Sequence, residues 1–184
     1  MTDWLHTVNL ETMEGASPIE NKVASSGLIT IDLESFFPLQ DFLVFDVKDF
    51  LFMGLILKEK DFREALKNFN WEKFRNQSVS IICSADAIVP VWAYMLAATY
   101  MSNVNAKYSF ATTEEMVKES FVKSIDALDV ELYRDQRVIV KGCSDKPVPV
   151  SAYVHITQKL QPVVKSLMFG EACSNVPLYK KKST

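Results

Sequence analysis

The stretch from Ile81 to Tyr94 constrains this chain most. A β-branched run, Ile81-Ile82, enters a Cys83-Ser84 turn, and Pro90 then opens an apolar helix at Val91-Trp92-Ala93-Tyr94. Fifty-nine positions on, Asp145, Val148, Pro149, Val150, Ala152 and Tyr153 repeat Asp86, Val89, Pro90, Val91, Ala93 and Tyr94. The same offset also matches Phe62, Glu72, Arg75, Gln77 and Val79 with Phe121, Glu131, Arg134, Gln136 and Val138. Helix, turn, buried strand, Cys-Ser loop and helix thus recur, over about residues 62–101 and 121–160. The pattern predicts an α/β fold: a mainly parallel sheet with flanking helices, built on an internal helix-strand-loop-helix repeat. The register slips only at the thiols, where Cys83 aligns with Gly142 and Cys143 with Ser84.

The remaining elements follow from periodicity and punctuation. Residues 1–20 show no period and read as a poorly ordered leader, which leaves Met13 open as a start; residues 21–184 read as a single α/β domain. Leu28 to Leu33 alternates as a strand, Phe42 to Val47 reads as a second, and Pro38 marks the turn between them. Asp49 to Leu57 is apolar almost throughout, which fits strand or helix, and helix is the preferred reading. Asp61 with Glu64, and Thr112 with Glu115, have capping-box spacing, which predicts helices from Phe62 to about Phe69 and from Thr112 through Leu128. Strands are expected at Val79 to Ile82, Lys107 to Ala111 and Arg137 to Lys141. Helices are expected from Pro90 to about Met101 and from about Pro149 to Leu167, the latter kinked or split by Pro162 and ended by Gly170. Leu178 to Lys180 reads as a final edge strand, with Pro177 tolerated at its entry.

Composition narrows the function. At 184 residues, 48% hydrophobic and 23% charged, the chain can bury a full core. Its net charge of −3 offers no footprint for nucleic acid, and the Lys180-Lys181-Lys182 tail reads as a solubilising end. The N-terminal residues lack the apolar run of a signal peptide, and Phe50 to Leu57 is too short to span a bilayer, so no membrane partner is expected and the location reads as cytoplasmic. Three cysteines, an odd number, point to free thiols or metal ligands rather than to a disulfide framework.

Every cysteine is followed by serine, and within seven residues by Val-Pro. A cysteine at the carboxyl end of a strand, just ahead of a helix, lies where open α/β sheets bind ligands and where the helix dipole favours thiolate. Three readings stay open. Cys83, Cys143 and Cys173 converge with a fourth donor, drawn from Asp86, Asp145, His155 or Glu171, on zinc or an iron-sulfur cluster. One thiol is a nucleophile or persulfide carrier activated by the helix N-terminus and Lys146. Or the cysteines are small buried hydrophobes in an interaction module, such as a homodimer formed through an exposed apolar face. Asp86 and Asp145, at equivalent places, read first as helix caps and second as paired carboxylates. His155 reads as a helix-surface residue, and Trp92, Tyr94 and Tyr153 as packing. Lys141, Lys146 and Lys165 are candidates for an anion site with the helix N-termini.

The runs Gly27 to Glu34, Leu55 to Arg63, Cys83 to Pro90, Lys141 to Pro149 and Leu160 to Gly170 resemble an uncharacterised bacterial family, a domain of unknown function, over about Ile19 to Lys182. The resemblance implies a gene placed beside those for iron-sulfur cluster assembly. The resemblance implies a role in that pathway, with its assembly proteins as partners, and carries Cys83, Cys143 and Cys173 over as candidate residues.

Overall fold

The computed structural model describes residues 27–142 and 145–182; the expected leader, and Cys143 with its serine, lie outside them. Among the described residues seven strands form two sheets, accompanied by four α-helices. A three-stranded parallel sheet has the order β2 (Leu43–Asp46), β3 (Ser78–Ile82), β4 (Lys107–Ser109). A four-stranded sheet has the order β1 (Leu28–Asp32), β5 (Arg137–Lys141), β6 (Ser166–Glu171), β7 (Ser174–Lys180), with only β7 antiparallel. The single sheet expected from the sequence is therefore two. The first two strands, only ten residues apart, part company: β1 pairs with β5 and β2 with β3.

Each sheet packs one face against two helices. In the three-stranded half, Phe45, Val79 and Ile81 meet Phe62 and Leu66 of α1 (Glu59–Asn68) and Ala93, Ala97 and Met101 of α2 (Val91–Asn103). In the four-stranded half, Ile31, Val138, Val140 and Leu167 meet Phe121 and Ile125 of α3 (Thr113–Asp126) and Ala152, Ile156 and Leu160 of α4 (Val150–Leu160). The alternation of strand side chains explains this choice of residues, since every second one shares a face. The middle strand β5 is buried on its other face as well, at Ile139, which suits the unbroken apolar run of a parallel strand.

Local bonds recur at matched places in the two halves. A short 3-10 turn, Trp71–Phe74 in one half and Val130–Tyr133 in the other, precedes the middle strand. It is followed by an Arg-carboxylate fork, Arg75 to Glu72 and Arg134 to Glu131, each with two bonds of 2.6 Å. Asn76 and Asp135 then adopt positive φ, and their N-H groups donate to the carbonyls of Val104 and Val163. Asn and Asp are the non-glycine residues that tolerate this backbone best.

Several sequence expectations need correction. Asp49 to Leu57 is not helical: a 3-10 turn at Val47–Phe50 leads into a tight hairpin in which Phe52 bridges Ile56. Met53 and Gly54 have φ of 52° and 71°, and two successive left-handed residues cannot continue a helix. α1 starts at Glu59 rather than Phe62 and has no side-chain cap; Asp61 sits in its first turn, where a negative charge suits the dipole. By contrast, the Thr112/Glu115 capping box is formed in both directions. α4 stops at Leu160, so of the two expectations for Pro162 the break is found and not the kink, and the segment beyond it is a strand from which Leu167 points inward. The last strand begins at Ser174 and makes a hairpin with β6, with a register irregularity opposite Pro177 on the sheet edge.

Phe45 is the centre of the aromatic cluster of the three-stranded half, with the rings of Phe50, Phe69, Trp71 and Phe74 at 5.3, 5.5, 5.3 and 6.3 Å. Being almost wholly buried, Phe45 cut back to alanine leaves a cavity that four rigid rings cannot close. Phe45→Ala is expected to cost about 3–5 kcal/mol of stability in urea unfolding.

Candidate functional site

Parallel strands point their carboxyl ends the same way, and in α/β folds ligands bind there. At that end of the four-stranded sheet a cleft of about 410 Å³ is lined by Asp32, Glu34, Lys141, Gly142, Glu171 and Cys173, with Phe169, Gly170 and Ser174 completing its wall. The ends of β1, β5 and β6 each supply a charged residue: Asp32, Lys141 and Glu171. The Lys141 ammonium lies 3.4 Å from Asp32 and 3.5 Å from Glu171. The Glu171 charge, then the bond to Asp32, holds the lysine above its ordinary range. Asp32 also accepts the Glu34 N-H at 3.0 Å, which orients its carboxylate, and the Glu34 carboxylate accepts the Asp145 N-H.

Two glycines let the backbone close on this cleft. Gly142 has φ of 152°, and a side chain there would press on the Tyr153 hydroxyl and Leu33, each within about 3.1 Å of where a Cβ would sit. The Tyr153 hydroxyl donates to the Gly142 carbonyl, and its ring meets Phe169 edge-on at 5.7 Å. Gly170 has φ of 115°, and a Cβ there would lie 2.7 Å from the Ser174 carbonyl oxygen. The β6-β7 hairpin, with exposed Cys173 at its turn, depends on that absence.

The candidates named from sequence separate into groups. Glu171 and Cys173 line the cleft, and Gly142, immediately before Cys143, lines it too; Cys143 itself lies outside the described residues. Asp145 is exposed at its rim through the bond to Glu34. Cys83 and Asp86 follow β3, in the other sheet. Cys83 is half-buried against that sheet's core and its thiol donates to the Ala85 carbonyl at 3.6 Å, while Asp86 is exposed. Neither aspartate caps a helix: α2 and α4 begin after Pro90 and Pro149 without a side-chain cap. His155 bonds Asp126 of α3 at 2.8 Å, tying α4 to α3. The three lysines proposed for an anion site do not meet. Lys141 lies between its two carboxylates, Lys146 faces the Phe37 ring, and Lys165 lies at the opposite end of β6 with Arg137 and Lys180. Among the described residues no three His, Cys, Asp or Glu side chains come together as a metal-holding group.

Sequence reading missed Asp32 and Glu34 as site residues. The available signal was an acidic pair at the carboxyl end of a strand, and it recurs in altered form after β2 as Asp46 and Lys48. There Asp46, whose side chain is 16% exposed, accepts the N-H groups of Lys48 and Ser84 at 3.0 Å each. Burial pushes its carboxyl up. The Ser84 hydroxyl and amide bonds, the Lys48 amide and the Lys48 charge together outweigh that and hold it below the usual range. Nearby, burial raises the Tyr94 hydroxyl, with Cys83 and Asp46 adding to the rise.

Because the folded state lowers the Asp46 pKa, its contribution is complete above the unfolded value near about 4 and is lost as pH falls through the lower folded value. Asp46→Ala is expected to cost about 2 kcal/mol at pH 7. In urea melts repeated from pH 7 down to about pH 2, the gap between wild type and variant should narrow only below about pH 4.

Among the described residues no helix is long and apolar enough to cross a membrane. No curated protein and no solved structure matches the chain. Residues 17–181 do match the model of the family described as Protein of unknown function (DUF2480), and the chain belongs to that family.

Proposed function

We propose that this is a cytoplasmic accessory protein of iron-sulfur cluster assembly that works by thiol chemistry at the carboxyl edge of its four-stranded sheet. The pathway is the one implied by the family resemblance. The observation that carries the chemistry is the position of Lys141. Its ammonium fills the place between Asp32 and Glu171 that a bound cation would take, in the cleft that Cys173 lines and that the chain leaves at Gly142 towards Cys143. A cation beside a thiol favours the thiolate, the nucleophilic form. The thiolate of Cys143 or Cys173 attacks the outer sulfur of a partner's persulfide, a new sulfur-sulfur bond forms on this chain, and the partner leaves as a thiolate. No outside oxidant is needed.

A second reading keeps zinc or an iron-sulfur cluster at this edge. It is favoured by the gathering of Cys173 and Gly142, the residue before Cys143 in sequence, beside Asp32, Glu34 and Glu171. It requires Lys141 to leave its carboxylates, and it assigns Cys83 no part, because that thiol follows a strand of the other sheet. We also read the two halves as copies of one ancestral unit. The paired Arg-carboxylate forks and the paired positive-φ residues after them support that reading.

The test uses the full chain, purified without air or chelator, with metal analysis and a mass-spectrometric time course of iodoacetamide alkylation at pH 7. Thiol chemistry predicts under about a tenth of an equivalent of zinc and iron. It also predicts that Cys143 or Cys173 reacts at least about tenfold faster than Cys83, and that Lys141→Met slows that residue several-fold. Rates that are equal at all three cysteines, or indifferent to Lys141→Met, would sink the idea. A stoichiometric metal that is lost in Cys143→Ser would put the second reading in its place.

A further inference from the structure

The carboxyl edge of the three-stranded sheet carries a surface unlike the charged cleft. Phe52, Met53, Leu55 and Ile56 make the tip of the hairpin before α1, and all four are exposed, Met53 at 82% and Leu55 at 63%. The tip is a defined structure: the Phe52 N-H donates to the Ile56 carbonyl at 2.7 Å and the Ile56 N-H returns the bond at 3.2 Å. Met53 holds a φ of 52°, an unfavourable backbone for a bulky residue. Conformational energy is thus spent on holding large apolar side chains in water, and a backbone outlier of this kind points to use.

The same sheet edge gives rise to a second apolar segment. Ile88, 93% exposed, lies on the loop after β3, and Val91 and Met95 follow it on the outer side of α2. α2 contains no charged residue along its whole length, where a surface helix ordinarily keeps a polar side. α1 connects the two segments. The Lys58 ammonium caps the Phe52 ring at 3.2 Å, Phe50 meets Phe62 at 5.5 Å, Phe62 meets Trp92 at 6.0 Å, and Arg63 lies over Trp92.

We propose that the hairpin tip together with Ile88, Val91 and Met95 is the interface of a two-fold homodimer. The seven residues leave open on the order of 800 Å², about what one partner contributes to a standard interface. Charge selects the second copy as occupant. A chain of net charge −3 associates with itself only where acid does not meet acid, and α2 brings none. At the hairpin's foot Lys58, Glu59, Lys60 and Asp61 alternate in sign, so a two-fold axis can set lysine against carboxylate. Towards an anionic lipid surface the same stretch offers no net positive charge, since Asp49, Glu59 and Asp61 stand beside Lys48, Lys58 and Lys60.

Sedimentation velocity of the full chain from about 1 to 100 μM decides this. The expected result is a species of twice the 20.9 kDa chain mass. Leu55→Glu and Met95→Glu should each weaken it at least about 100-fold with unchanged far-ultraviolet circular dichroism. Val154→Glu, at an equally exposed apolar position on α4, should leave it intact. Met53→Gly relieves the backbone, so that variant should withstand urea at least as well as wild type while its dimer weakens about tenfold. A chain that stays monomeric at 100 μM, a dimer indifferent to Leu55→Glu and Met95→Glu, a dimer as sensitive to Val154→Glu, or a monomer that floats with anionic vesicles would each overturn the proposal.

Discussion

Parallel pairing of the middle strands is the constraint on which the rest of this structure depends. β3 and β5 each run alongside a strand that comes earlier in the chain and one that comes later. Parallel neighbours cannot be joined by a tight turn; α1, α2 and α4 make three of the crossings, and the chain between β1 and β5 passes through the whole three-stranded half and α3. The helices must then be apolar towards the sheet, which fixes Phe62, Ala93 and Ile156 as core. The same geometry collects the ends of β1, β5 and β6 at one edge, so that Asp32, Lys141 and Glu171, far apart in sequence, come within reach of each other.

What the sequence made legible were the features that local chemistry alone decides. Val79 to Ile82 and Val138 to Val140 are largely buried runs rich in valine and isoleucine, the Thr112/Glu115 box caps its helix, and Pro90 and Pro149 stand at the thresholds of α2 and α4. What stayed hidden was decided elsewhere in the chain. Nothing near Leu28 or Leu43 says which later strand each will pair with, and so one sheet was expected where there are two. The run at Phe52 to Ile56 has no period to read, because its side chains alternate towards no core. Ser166 to Gly170 reads as the tail of a helix because Leu167 fits either period, and only its burial beside Val138 settles the matter. For the candidate site, Glu171 and Cys173 were legible as residue types in a loop. Asp32 and Glu34 were not, since their meaning comes from β5 and β6 arriving beside them.

The two sheets have put their equivalent edges to different uses. After β1 the turn offers Asp32 and Glu34 to a polar cleft. After β2 the corresponding turn keeps Asp46 for its own loop, tying Ser84 and Lys48, and sends the chain out into an apolar hairpin. The thiols follow the same division. Cys83 is packed at the edge of a core, whereas Cys173 stands in the open on a hairpin turn. A charged cleft is thus separated from an exposed apolar surface, each at the carboxyl edge of its own sheet.

Gly170 shows where such an arrangement is vulnerable. The nearest carbonyl oxygen stands 2.7 Å from the position a Cβ would occupy, so every replacement pushes the hairpin away from β6 and carries Cys173 with it. A residue with no side chain and no chemistry of its own therefore sets the aim of a thiol three positions along. Selection on that thiol would act on Gly170 as strictly as on the sulfur, and a survey of tolerated substitutions would rank the two together.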